Sequence, residues 1–288
     1  MSTINCQGTL IDLSTPKVMG ILNITPDSFF DGGKYKDEKS ILSQVKKMLA
    51  DGATFIDVGA YSSRPGAVHI SEEEELNRIL PIVKLLVAKF PNILISVDTF
   101  RSNVARKCIE SGACMINDIS GGNSDVKMFE TVAELQVPYI VMHMQGTPQN
   151  MQENPKYTNI TRDILKDFSE KAFQLKKLGV NDIIFDVGFG FGKTIADNYE
   201  LLNHLDLFHQ LEAPILTGVS RKSMFYKPLH ISPQEALNAT TVAHTIALQK
   251  GSHILRVHDV KEAIETIHIL KLLNQNRDEL PQQKISGS

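Results

Sequence analysis

The chain has 288 residues, 42% of them hydrophobic and 22% charged, with a formal net charge of -3. These are ordinary globular values, which exclude global disorder, and the length admits one large core or two small ones. Without a basic excess, neither nucleic acid nor an anionic membrane is an expected partner, although a local phosphate site needs only two or three cations.

Short apolar, β-branched runs alternate along the chain with longer stretches of helical spacing. Strands are expected at 18–23, 55–59, 93–98, 115–119, 139–143, 183–187, 214–219 and 254–258. Helices are expected near 38–51, 71–90, 102–112, 125–136, 160–179, 197–209, 233–250 and 260–273. Ser71 stands three residues before Glu74, a capping-box spacing. Gly52, Gly112, Gly179 and Gly251 each follow a helical run, where a left-handed residue is wanted. Eight β-then-α units are the count that closes a (β/α)8 TIM barrel, with a doubly wound open sheet as the competing architecture. Residues 1–16 read as a short hairpin over the barrel bottom. The whole of 1–273 reads as one domain, and 274–288 as a polar, frayed tail.

No apolar run approaches the roughly 18 residues of a membrane span, and the N-terminus lacks the pattern of a secretory signal. Cys6, Cys108 and Cys114 form no CxxC and no zinc spacing. They read as small hydrophobes in a reducing cytoplasm.

Three βα connections are long and unusual: 24–37, 60–70 and 144–159. In a barrel they all fall on the C-terminal face, where active sites lie. The strand ends themselves are polar: Asn23, Asp57, Asp98, Asn117 and Asp118, Asp186, then Ser220, Arg221 and Lys222, then Arg256 and His258. Strand parity puts Arg256 and His258 on one face, inward, because Leu255 and Val257 suit the helix layer. For 139–143 the pattern leaves two choices, Ile140 with Met142 inward or Val141 with His143. His143 reads as a satisfied second-layer histidine rather than a ligand. Asp98 and Asp186, with the amide of Asn117 and the cation of Lys222, suit a nitrogen heterocycle with an amino-pyrimidinone edge. Arg64, Arg221, Arg256 and His258 supply positive charge for phosphate oxygens. The Gly-rich run 188–193 lets backbone approach a flat ligand and is not a Walker A loop.

Ordered motifs make the match specific: GILNITPDSFFDGG (20–33), IDVGAYSSRPGA (56–67), SVDTFR (96–101), INDISGG (116–122), DVGFGFGK (186–193), GVSRKS (218–223) and LRVHDV (255–260). On these the chain resembles the dihydropteroate synthases of folate biosynthesis over essentially its whole length. It departs from them where Ala60, Tyr61 and Ser63 replace Gly, Glu and Thr, and where Val187 replaces Pro.

The resemblance implies condensation of a dihydropterin-hydroxymethyl pyrophosphate with p-aminobenzoate, giving dihydropteroate and pyrophosphate. It implies that Asp98, Asn117, Asp186 and Lys222 hold the pterin, with Met142 on its face. Asn23 would coordinate Mg²⁺ on the pyrophosphate, and Ser63, Arg64, Arg256 and His258 would grip its oxygens. Thr25, Pro26, Phe29, Ser63, Pro65, Phe191 and Ser223 would surround p-aminobenzoate. The family also implies sulfonamide sensitivity and a homodimer through late helices. Asp98 and Asp186 can stabilise a cationic methylene, and the cations the departing anion. That fits a dissociative path, with a concerted displacement as the alternative. Gly32, Gly33 and Gly66 favour loops that close after the first substrate binds, so that p-aminobenzoate binds second. Two competitors are a corrinoid-type pterin methyltransferase barrel, which has no use for Arg64, Arg256 and His258 together, and a non-catalytic pterin-binding barrel.

Overall fold

In the computed structural model, residues 3–24, 34–62, 68–151, 153 and 155–278 are described. The chain begins with an antiparallel hairpin, β1 (Thr3–Cys6) and β2 (Thr9–Asp12). Eight parallel strands follow: β3 (Lys17–Asn23), β4 (Phe55–Gly59), β5 (Ile95–Asp98), β6 (Met115–Asp118), β7 (Tyr139–Met142), β8 (Ile183–Asp186), β9 (Ile215–Thr217) and β10 (Ile254–Val257). They pair in sequence order, and β10 returns to β3 with Arg256 opposite Met19. That closure makes a (β/α)8 barrel and rules out the open sheet.

Side chains of alternate parity line the barrel, and two kinds of layer result. The lower interior is apolar: Met19, Phe55, Met115, Ile140, Ile184, Leu216 and Ile254 pack with Ile4, Cys6 and Leu13 of the hairpin region. The hairpin thus covers the barrel bottom, as the sequence predicts. The opposite parity, with Val18, Ile56, Val97, Val141, Phe185 and Leu255, packs under the helices. Two residues further along the inward parity, the lining turns polar. There Asp57 follows Phe55, Asn117 follows Met115, Asp186 follows Ile184 and Arg256 follows Ile254. The same register settles β7: Ile140 and Met142 face inward, and His143 faces the helix layer beside Phe168.

The four expected left-handed glycines have φ of 103° (Gly52), 105° (Gly112), 83° (Gly179) and 84° (Gly251). Ser71 accepts from the Glu74 amide, but the Glu74 carboxylate pairs with Arg78, so only half of the capping box forms. Other boundaries shift for local reasons. The first helix starts at Lys34, which shortens the 24–37 connection. The 125–136 helix starts at Met128, because Asp125 accepts from the Lys127 and Ser102 amides ahead of it. The stretch 197–209 becomes Ile195–Asn203 plus a 3-10 segment, Leu205–Leu211. In 233–250 a capping box between Ser232 and Glu235 starts a separate 3-10 turn, Pro233–Glu235, before the helix Leu237–Gln249. A short helix not expected from the sequence, Ser223–Leu229, carries Lys222 as its N-cap. The last helix runs Val260–Asp278, five residues past its expected end at 273, and 279–288 lie outside the described residues.

Candidate active site

Closure brings the polar strand ends to one mouth. In register, Asn23 lies opposite Gly59, Gly59 opposite Asp98, and Asp98 opposite Asn117. Further round, Met142 lies opposite Asp186. Arg256 crosses the floor. Its Nε donates to Asp57 Oδ2 at 2.6 Å, and its Nη2 donates to Asp98 Oδ2 at 2.8 Å. Asn117 Nδ2 donates to the same Asp57 oxygen at 3.0 Å. Asp57 is 0% exposed, and its other carboxylate oxygen has no partner among the described residues. The sequence reading placed Asp57 at a strand end but not in the site. The available signal was its parity with Phe55.

Asp186 accepts from the Gly188 amide at 2.8 Å, and burial raises its pKa, against the pull of that bond and of Lys222. Burial likewise raises the pKa of Asp98, against the Arg256 charge. Lys222 donates to the Phe189 carbonyl, and its Nζ lies 4.4 Å from the centre of the Phe191 ring. Burial lowers its pKa to about 8, with Asp186 opposing. Phe191 packs with Met142, Met144 and Met151, an apolar wall beside the charged floor. Ser223 is half-buried at the start of the helix behind Lys222.

His258 stands at the exposed rim, its Nδ1 3.0 Å from Ser220 Oγ. Desolvation by the surrounding protein, then the charge of Arg256, lowers its pKa to about 4. Arg221 is not free for an anion. It forks onto Asp259 at 2.8 and 2.9 Å and donates to the Pro233 and Gln234 carbonyls, tying the β9 and β10 connections together. Lys193, missed in the sequence, is buried. It donates to the carbonyls of His143 (3.1 Å) and Phe191 (2.9 Å) and lies 3.0 Å from His143 Nδ1. Burial lowers the Lys193 pKa to about 7 and that of His143 to about 2. His143 is therefore a satisfied neutral histidine, as expected.

The glycines of 188–193 make room for the protein itself. A Cβ on Gly188, at φ +68°, would lie 2.0 Å from the His143 carbonyl oxygen, and one on Gly190 would meet the Lys222 stem at 3.1 Å. Thr25, Pro26, Phe29, Ser63, Arg64 and Pro65, with Gly32, Gly33 and Gly66, lie outside the described residues.

Asn23 is half-buried, at the end of β3. Among the described residues no group of three or more His, Cys, Asp or Glu could hold a metal ion. A hard cation here would rest on an amide oxygen and on ligand oxygens, a pattern that suits Mg²⁺ with phosphates.

A family model described as pterin binding enzyme matches residues 19–258. A dihydropteroate synthase of Escherichia coli is 43% identical over 267 residues, 92% of this chain and 94% of that protein. The crystal structure of Yersinia pestis dihydropteroate synthase with a sulfonamide drug complex superposes with a TM-score of 0.88 at 41% identity, over 95% of this chain and 99% of that one. Dihydropteroate synthase from Xanthomonas albilineans in complex with 7,8-dihydropteroate gives a TM-score of 0.85 at 32% identity, over 94% and 98%.

Proposed function

The chain belongs to the pterin binding enzymes, and among them to the dihydropteroate synthases, and on that premise we propose how its barrel mouth carries the reaction. The enzyme is a transferase. It condenses 6-hydroxymethyl-7,8-dihydropterin pyrophosphate with p-aminobenzoate to give 7,8-dihydropteroate and pyrophosphate. The observation that carries the residue assignment is the floor itself: Asp57, Asp98, Asn117, Asp186, Lys222 and Arg256 lie at one end of one barrel.

Asp186 accepts from the amino-pyrimidinone edge, and Asn117 and Lys222 complete the donor and acceptor pattern. Met142 covers the ring face. Cleavage of the exocyclic carbon–oxygen bond leaves positive charge on the methylene, delocalised into the pterin. Asp98 and Asp186, little solvated, stabilise that charge. Arg256, His258, Ser63 and Arg64 hold the leaving pyrophosphate. When bound, Mg²⁺ held by Asn23 and the pyrophosphate oxygens supplies charge neutralisation of the leaving group. The aryl amine, seated near Phe191, Ser223 and the residues Thr25, Pro26, Phe29, Ser63 and Pro65, then attacks. No protein nucleophile is required, and the path is dissociative.

A sulfonamide in a relative's complex supports competition at the p-aminobenzoate position. A cytoplasmic homodimer belongs to the same reading. The exposed Val242 and Ile269, on the last two helices, support the subunit contact, and no described helix is long and apolar enough to cross a membrane. The test combines purified protein, the pterin pyrophosphate and Mg²⁺ with and without p-aminobenzoate. Pyrophosphate release that requires p-aminobenzoate is expected. Methyl transfer, or binding without turnover, would contradict the reading.

A further inference from the structure

Tyr61 is one of the places where the sequence leaves the family motif, which has Glu there. Its side chain is 8% exposed. The connection after β4 passes from Tyr61 to His69, and these two residues meet. The Tyr61 hydroxyl lies 3.1 Å from His69 Nδ1, with ring centroids 5.7 Å apart. The same oxygen accepts from Gln149 Nε2 at 2.7 Å, on the connection after β7. The Tyr61 ring stands edge-on to Phe100, 5.0 Å away, and the Arg101 guanidinium lies 5.6 Å from its centroid. Arg101 follows β5, and it donates to Glu75 and to the Ile70 carbonyl, each at 2.6 Å. Arg101 Nη2 is also 3.4 Å from His69 Nε2, so the tautomer protonated at Nδ1 serves both histidine contacts. His69 and Gln149 then both donate to one tyrosine oxygen.

Three βα connections therefore meet on one side chain at the rim, outside the floor that holds Asp98, Asp186 and Arg256. Glutamate at this position would offer acceptor oxygens but no ring for Phe100, and its charge would turn towards Arg101. We propose that Tyr61 is a positioning residue for the second substrate: its hydroxyl fixes the root of the β4 connection against Gln149 of the β7 connection. This rests on the reading above, which seats p-aminobenzoate beside Ser63 and Pro65 of the β4 connection. The hydrogen-bond and ring partners of Tyr61 among the described residues, His69, Gln149, Phe100 and Arg101, lie outside the pterin floor, so it acts on the second substrate and leaves the first alone.

The test compares wild type with Tyr61→Phe, Gln149→Ala and the double variant in steady-state kinetics. Titration calorimetry of the pterin pyrophosphate runs alongside. The KM for p-aminobenzoate is expected to rise about fivefold in Gln149→Ala, the scale of one net hydrogen bond, and at least as much in Tyr61→Phe, which also loses the His69 contact. The kcat and the pterin affinity stay within about twofold. The double variant is no worse than the poorer single one, because both remove the same bond. Gln149 is exposed, so its truncation keeps the test valid if Tyr61→Phe folds poorly. An unchanged KM, additive effects, or an equal loss of pterin affinity would overturn the proposal. Wild type without p-aminobenzoate-dependent turnover would defeat the functional reading and this proposal with it. Turnover in wild type with indifferent variants would defeat this proposal alone.

Discussion

Arg256 donates to the buried carboxylate of Asp57 at 2.6 Å across 199 residues of sequence. The bond spans the barrel closure, since β10 and β4 flank β3 on either side. It fixes a guanidinium in the floor, with Asp98 on its second arm. A carboxylate so deeply buried is tolerable only while it is paired.

Arg256→Ala therefore has two expected effects. Unfolding free energy falls by about 3 kcal/mol, the lower end for stranding a buried charge. A second change, Asp57→Asn, recovers part of it. Turnover falls on the order of 10²–10³, the scale for one lost anion stabiliser. Denaturant titration reads the first effect and initial rates the second. The pterin alcohol, which lacks pyrophosphate, should keep its affinity better than the pyrophosphate form. Equal weakening of both would make Arg256 a purely structural residue.

Lys222 gives a pH signature. Its pKa is lowered to about 8, against an unfolded value near 10.4. Rising pH removes its charge, so kcat/KM for the pterin pyrophosphate should fall above about pH 8. Stability moves the other way. Between about pH 8 and 10.4 the unfolded chain binds more protons, so the contribution of this group to stability rises with pH and is lost as pH falls through 8. Rate profiles of wild type and Lys222→Ala check the assignment. An alkaline limb retained unchanged in the variant would assign the titration elsewhere.

A dissociative path leaves an isotopic trace. With ¹⁸O in the bridge between methylene and pyrophosphate, reversible ionisation scrambles the label into non-bridging positions before p-aminobenzoate arrives. Scrambling is the expected outcome by ³¹P spectroscopy. Turnover with no scrambling at any p-aminobenzoate concentration would favour concerted displacement.

Much of this architecture was legible in the chain because barrel strands and helices carry strong local signals. The apolar runs around Val58, Val97 and Phe185 mark strands packed on both faces, and Gly52, Gly112, Gly179 and Gly251 mark helix ends. The polar strand ends could be read as one mouth once closure was assumed. What escaped depends on contacts that no local pattern encodes. Arg221 resembles a free phosphate cation until Asp259 and the carbonyls of Pro233 and Gln234 absorb its donors. Asp57 resembles a turn residue until Arg256 and Asn117 reach it. The Ser223–Leu229 helix is short and contains Pro228, so periodicity had too few residues to register it. The choice between Met142 and His143 needed the neighbouring strand, where Met142 lies opposite Asp186.

The central claim is that this floor binds the pterin, and Asp186 tests it most directly. Its carboxylate is buried and accepts one backbone bond from Gly188. Asp186→Asn preserves shape and replaces one acceptor by a donor. Hydrogen bonds to a charged group are worth roughly 1.5–3 kcal/mol, and a mispaired donor adds to the loss. Titration of dihydropterin pyrophosphate into wild type and variant, with circular dichroism confirming the fold, should give at least a tenfold weaker affinity for Asp186→Asn. Equal affinity in a folded variant would remove Asp186 from the pocket and contradict the assignment of the barrel mouth.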